Sequence, residues 1–381
     1  MKKILSVLLV LAALLAMATS AALAAEIALV TDVGTIDDES FNQACWEGVK
    51  AYAEANGKTY QYYQPGADST DERLNSIDLA VSEGAKVVVC PGYLFGETVA
   101  QAQELYPDVD FIAVDVSAGD LGGVDAQQNL YCAVFGEEQA GYLAGYAVVK
   151  DGYTKLGFLG GMAVPAVVRY GYGYVQGVDA AAKELDITVD LKYAYGNQFS
   201  GDADITAAMD TWYQGGTEIV FACGGGIYTS AVDAAKKVNG AKVIGVDVDQ
   251  AGVIAKYAAG ESADQATIDG FKALTVTSAM KGLYPATFDT LTDVIVKGNW
   301  DNYKGKIQNL GLVSGDDPTL NYVQIPMEST QWKDGAFTQD DYKAMVKNMF
   351  DGKITVSNDT TKAAKDFATV ITLDDQGKIK G

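Results

Sequence analysis

Six short apolar runs constrain this chain more than any other feature: "IALV" (27–30), "VVVC" (87–90), "FIAV" (111–114), "LGFL" (156–159), "EIVFAC" (218–223) and "KVIGV" (242–246). None alternates apolar with polar, as a strand with one wet face would, and most are rich in β-branched residues. Such runs are the signature of strands buried on both faces of a parallel sheet. The stretches between them have helical spacing, among them "SFNQACWEGVKAYAEANG", "TDERLNSIDLAVSEG", "VVRYGYGYVQGVDAAAKELD" and "TSAVDAAKKVNG". Strand and helix therefore alternate, which predicts a doubly wound α/β architecture.

The pattern is also duplicated. Strand "IALV" and the helix carrying "WEGVKAYAEANG" recur 129 residues later as "LGFL" and "VQGVDAAAKELD", with Gly48 matched by Gly177. Further on, "SEGAKVVVCPG" is echoed by "YQGGTEIVFACGG" and "VDFIAVDVS" by "AKVIGVDVD", which pairs Asp115 with Asp247. Two copies at so long a spacing read as two related lobes rather than a solenoid, with a boundary near 146–152.

The first 24 residues are set aside. Lys2 and Lys3, the apolar run 4–17 and the small-residue tail ending Ala22-Leu23-Ala24 match the regions of a cleaved secretory signal. Export to the periplasm or the outer face of the cell membrane is expected. About 357 residues then remain, more than one hydrophobic core usually serves. The balance of 28 basic against 50 acidic side chains, formally −22, opposes binding to nucleic acid or anionic membranes. There is no histidine, which removes Ser/His/Asp and Cys/His catalysis. Cys45, Cys90, Cys132 and Cys223 are widely spaced, two of them inside strand runs, and read as buried free thiols.

Open parallel sheets bind ligands beyond the carboxyl ends of their strands. The loops there begin at Asp32, Pro91, Asp115, Gly160, Gly224 and Asp247, and facing lobes would converge them on one cleft. In "TDVGTIDDESFNQ", Asp37, Asp38 and Ser40 stand where a helix begins and read as caps or solvated groups. Asp32 comes too early to cap. Phe41, followed by Asn42, is either a core anchor or a ring that stacks on a flat ligand. The spacing of a calcium loop is absent, so no metal is expected. Gly224 and Gly225 of "CGGG" would let a ligand approach backbone amides or would simply make a tight turn. Asp115 and Asp247 suit paired hydroxyls or a turn. Lys281, in "TVTSAMKGL", reads as a solvated residue of a helix-like stretch.

Together, "TDVGTIDDESFNQACWEG", "EEQAGYLAGYAV", "GFLGGMAVPAV", "KVIGVDVDQ" and "TSAMKGL" resemble the motifs of the basic membrane protein family, the substrate-binding components of ABC transporters typified by the purine nucleoside receptor lipoprotein. The resemblance runs from about residue 27 to 330. It implies a type I periplasmic-binding-protein fold, two doubly wound lobes joined by a hinge. On that pattern the N-terminal lobe comprises 25–148 with about 278–320, and the C-terminal lobe 149–277 with about 321–381. A monomer that captures a nucleoside, a purine nucleoside first, and delivers it to a permease is implied, without cofactor or catalysis. The family's roles fall on Asp32 and Phe41 for the base, with Asn42 adjacent, on Asp115 at the lobe crossing, on Asp247 for the ribose and on Lys281. Phe221 is the expected second aromatic, ahead of Tyr170 and Phe199. The chain departs from the family in having no lipobox cysteine and a longer segment at 256–274. Two rivals stay open: a receptor for a sugar, autoinducer or other small polar solute, and a nucleoside hydrolase using Asp32, Asp37 and Asp38.

Overall fold

The computed structural model describes residues 25–333 and 335–381; the expected signal segment, 1–24, lies outside them. The first sheet contains β1 (Ile27–Val30), β2 (Tyr60–Tyr63), β3 (Val87–Pro91), β4 (Asp110–Val114), β5 (Leu130–Phe135) and β11 (Lys306–Leu310). The second contains β6 (Lys155–Gly160), β7 (Asp190–Tyr195), β8 (Ile219–Cys223), β9 (Lys242–Asp247), β10 (Thr275–Lys281), β12 (Val323–Gln324) and β13 (Thr372–Lys378). Their spatial orders are β2-β1-β3-β4-β5-β11 and β13-β7-β6-β8-β9-β10-β12. All neighbours pair in parallel except β10 and β12. The order 2-1-3-4-5 therefore occurs twice, with β6–β10 repeating β1–β5, as the duplication requires.

The runs read as doubly buried strands are so: every residue of β1, β3 and β8 is buried. Helices cover both faces. In the first lobe these include α1 (Phe41–Asn56), α2 (Thr70–Ser82) and α3 (Gly96–Leu105). After α4 (Glu137–Lys150) come α5 (Pro165–Leu185), α6 (Ala203–Gln214), α7 (Tyr228–Ala235), α8 (Ala251–Ala259) and α9 (Gln265–Phe271). The chain closes with α10 (Leu283–Leu291) and α11 (Gln339–Phe350).

Two lobe boundaries are corrected. Helix α4, expected in the first lobe, packs against α5, β10 and β12 of the second, so the first crossing lies at Gly136 and not near 148. Strand β10 belongs wholly to the second sheet, and α10 packs on α1, so the return lies at Gly282 and not near 278. Between Leu310 and Val323 the chain crosses a third time. Each lobe thus receives one helix from the far side of a crossing. The duplicated glycines show how. A Cβ on Gly177 of α5 would lie 2.1 Å from the carbonyl of Tyr142 in α4, and one on Gly48 of α1 would lie 2.9 Å from Thr287 of α10. Only glycine permits that approach, so Gly48 and Gly177 mark where each lobe accepts its incoming helix.

Candidate functional site

The first strand delivers Asp32 to the mouth of the cleft. One carboxylate oxygen accepts from the Gly34 amide at 2.7 Å and from Asn42 Nδ2 at 2.9 Å. Asn42 is thereby tied to the loop that its own helix follows. Gly92, at the end of β3 with φ 120°, leaves the other oxygen free, since a Cβ there would stand 2.8 Å from Asp32 Oδ2. Burial pushes the Asp32 carboxyl above its ordinary range, against the hydrogen bonds that lower it. Asp38 starts α1 as expected: its carboxylate accepts from the amides of Ser40, Asn42 and Gln43 at 3.0, 2.9 and 3.1 Å. Asp37 is exposed.

Ser40 does something else. Its hydroxyl donates across the cleft to Asp247 Oδ2 at 2.8 Å, and Gln250 Nε2 donates to the Glu39 carbonyl at 3.2 Å. The lobes are closed on one another. Asp115, following β4, and Asp247, ending β9, are equivalent in the duplication, and both adopt the left-handed region, at φ 63° and 65°. Non-glycine residues are seldom held there, and Asp is among those that tolerate it.

Lys281 is the last residue of β10, not part of a helix, and it is buried, not solvated. Its ammonium lies 2.5 Å from Asp115 Oδ2, 3.3 Å from Glu137 Oε1 and 3.9 Å from Asp247 Oδ1. It also sits over the Phe41 ring at 4.7 Å, with Phe135 and Tyr170 at 5.5 and 5.7 Å. Burial alone would discharge this lysine, but three carboxylates outweigh it and hold the ammonium charged. Burial likewise opposes the charge on Glu137. Arg169, whose Nε is 2.6 Å from Glu137 Oε2, and Lys281 overcome it and keep that carboxyl low. Asp115 is pushed up to about 7 by burial, against the pull of Lys281, and its Oδ1 is buried without a hydrogen-bond partner. Lys281 Nζ donates to Asp115 Oδ2, and Oδ1 is left facing the cavity as an acceptor.

These groups line about 730 Å³ of atom-free space, partly open to solvent, between the two sheets' carboxyl ends. Asp32, Phe41, Asn42, Asp115, Gly224, Gly225, Asp247 and Lys281 all face it. Phe221 does not. It lies inside β8, fully buried, against Phe158, Tyr170 and Tyr174 at ring distances of 5.5, 6.0 and 5.3 Å. The choice of Phe221 is therefore corrected: Phe199 and Tyr170 are the second-lobe rings that reach the cavity. Sequence reading also missed Tyr93 and Leu94, although they follow the Pro91 strand end, and Glu137 and Arg169, which only the crossing at Gly136 brings to Lys281.

All four cysteines are buried and unpaired. Among the described residues no cluster of Cys, Asp and Glu is arranged to hold a metal ion, and no helix is long and apolar enough to cross a membrane.

Comparison with known proteins agrees with this architecture. The family model described as Bmp, ABC transporter substrate-binding protein PnrA-like, matches residues 25–311. The "ABC transporter nucleoside-binding protein BmpA" of Lactococcus lactis subsp. cremoris is 33% identical over 227 residues, 56% of this chain and 61% of that protein. The chain thus matches about three fifths of that relative's length. "Basic membrane protein B" of Borreliella afzelii is 28% identical over 290 residues, 74% of this chain and 77% of that protein. An ABC transporter solute-binding protein from Aeropyrum pernix K1 superposes with a TM-score of 0.65 at 20% identity, covering 90% of each chain. One from Conexibacter woesei gives 0.61 at 21%, covering 87% of this chain and 98% of that one. At such identities the likeness bears on the fold, which is the two-lobed type I fold of solute-binding proteins.

Proposed function

This chain belongs to the family of PnrA-like substrate-binding proteins of ABC transporters, and from that premise we propose that it captures a nucleoside, a purine nucleoside first, in the interlobe cleft and delivers it to a permease. The carrying observation is the composition of the cavity wall: aromatic rings come from both lobes, Phe41 from one and Phe199 and Tyr170 from the other, beside buried carboxylates, of which Asp115 keeps one oxygen without a partner. Stacking on aromatic rings is worth about 1–3 kcal/mol per base and tolerates any base. In this reading Asp32 and Asn42 hold the base edge. Asp115 and Asp247 accept from ribose hydroxyls, with Lys281 compensating their charge. A phosphate would meet the carboxylates of Asp32, Asp115 and Asp247 and a lysine already neutralised by its own carboxylate partners, so the ligand is a nucleoside and not a nucleotide.

Capture proceeds by closure of the lobes. The bonds Ser40–Asp247 and Gln250–Glu39 and the ion pair Lys281–Asp115 form only when the lobes meet, so they select the closed form that the ligand fills. The protein acts as an exported monomeric receptor and turns nothing over.

Calorimetric titration with inosine, guanosine, adenosine, uridine and ribose tests the reading. Heat from at least one nucleoside at about micromolar affinity, and none from ribose, is expected. Binding of ribose alone would assign the site to a sugar, and free base released from inosine would make the protein a hydrolase.

A further inference from the structure

Residues 312–381 lie beyond the family match, and their final stretch returns to the loop that carries Phe199. The path is fastened along α5. Gln176 accepts from the Ser357 amide at 2.8 Å and donates to its carbonyl at 2.9 Å; the Tyr172 hydroxyl donates to the Lys362 carbonyl at 2.7 Å. Asp179 accepts from the amides of Thr369 and Val370 at 2.6 and 2.8 Å. Strand β13 then pairs with β7 at the sheet edge, and its register shifts between Asp375 and Lys378, where Gly377 takes φ 69°.

The shift determines where the strand ends. The Ile379 amide donates to the Tyr195 carbonyl at 2.8 Å, and Lys380 Nζ reaches Gln198 Oε1 at 3.0 Å and the carboxylate of Asp202. Gln198 in turn donates to the Ser200 carbonyl at 2.8 Å and to Asp202 at 3.1 Å. Phe199 lies in the middle of this clip. On its other side the ring rests on backbone: a Cβ on Gly161 would stand 2.6 Å from its Cδ1. The loop 196–202 therefore has an inner support built into the lobe and an outer support supplied by β13.

We infer that Lys380 is a positioning residue for the cavity aromatic Phe199: the end of β13 clips the loop and presents the ring to the ligand, so a segment outside the matched family region sets the affinity of the site. The clip stands on geometry alone; that Phe199 contacts a nucleoside rests on the proposed function.

Amide hydrogen exchange on the ligand-free full chain separates the two. In Lys380→Met, residues 197–202 should exchange about tenfold faster while β6 and α5 keep their protection, and Lys380→Arg, which retains charge and donors, should restore the wild-type rate. Inosine should bind Lys380→Met about five- to tenfold more weakly, and the loss should vanish when Phe199→Ala is already present. Unchanged exchange at 197–202 overturns the inference whatever the ligand. Binding losses that simply add to those of Phe199→Ala overturn the positioning role. If wild-type protein binds no nucleoside, the functional reading fails and the exchange result alone decides the clip.

Discussion

The two lobes share a strand order, an Asp in the left-handed region at the same strand end and a glycine that admits a helix from across the hinge, yet they build opposite walls. After β1 the first lobe has a long polar loop that brings Asp32 and Asn42 to the cavity, and after β3 it places Tyr93 and Leu94 there. After β6 the second lobe turns at once into α5 and offers Val164, Ala166 and Val167, and after β8 it offers only Gly224, Gly225 and Gly226. Duplication preserved the frame that aims strand ends at a common cleft and left the loops free to diverge. The loop after β1 is thus polar and those after β6 and β8 are apolar or bare backbone, while Asp115 and Asp247 put one carboxylate on each side of the cavity. Lys281 belongs to neither wall: it ends β10 in one lobe and is neutralised by Asp115 of the other.

That contrast can be broken at several points. Lys281→Met should have the largest effect, because Asp115, Glu137 and Asp247 lose their shared cation; uncompensated buried charge costs about 3–5 kcal/mol. Urea denaturation should show this, and wild-type stability would mean that the carboxylates are paired otherwise. Phe221→Ala and Phe199→Ala should separate core from cavity. The first should cost about 3–5 kcal/mol of stability while the folded fraction keeps its affinity. The second should leave stability nearly intact and weaken nucleoside binding by about 1–3 kcal/mol. The reverse would put Phe221 back at the ligand.

Ser40→Ala should weaken binding about tenfold, near 1.4 kcal/mol, by removing the hydroxyl that bridges to Asp247, with little change in the denaturation midpoint. The smallest effect concerns pH. Buried Glu138, beside Glu137, has one unpartnered oxygen, and burial foremost raises its carboxyl to about 7 from 4.5. The folded state therefore holds this proton more tightly than the unfolded state. Its stabilisation is complete below pH 4.5 and is lost as pH rises through about 7. Glu138→Gln should flatten the melting temperature across that window, and an unaltered slope would assign the dependence to other carboxyls.

The sequence was most legible where burial is symmetrical. Strands at the centre of each sheet carry apolar side chains on both faces and announce themselves, as "VVVC" does. Edge strands do not: "YQYY" in β2 and the largely exposed "TLDDQGK" in β13 are paired on one side only and look like loops. Lys281 was misread as helical and solvated because a charged residue ending a strand gives no sign that three carboxylates await it. Its partners come from residues 115, 137 and 247 and meet only after the chain has crossed the hinge. Strand-end logic found Asp32, Asp115 and Asp247, since those positions depend on the local element alone. The second aromatic that the family resemblance implies falls on Phe199 and Tyr170 rather than on Phe221. The orientation of a side chain within a doubly buried strand is settled by the neighbouring layers: Phe221 turns toward Phe158 and Tyr174, which leaves the cavity to the loop ring.

The central claim is that the polar first-lobe wall reads a nucleoside through Asp32, while Asp38 only starts the helix behind it. Calorimetric titration of inosine into Asp32→Ala and Asp38→Ala tests this most directly. Binding should be abolished in Asp32→Ala with little loss of fold, and retained in Asp38→Ala, whose lost cap costs about 0.5–2 kcal/mol of stability. Retained binding in Asp32→Ala with loss in Asp38→Ala would contradict the account.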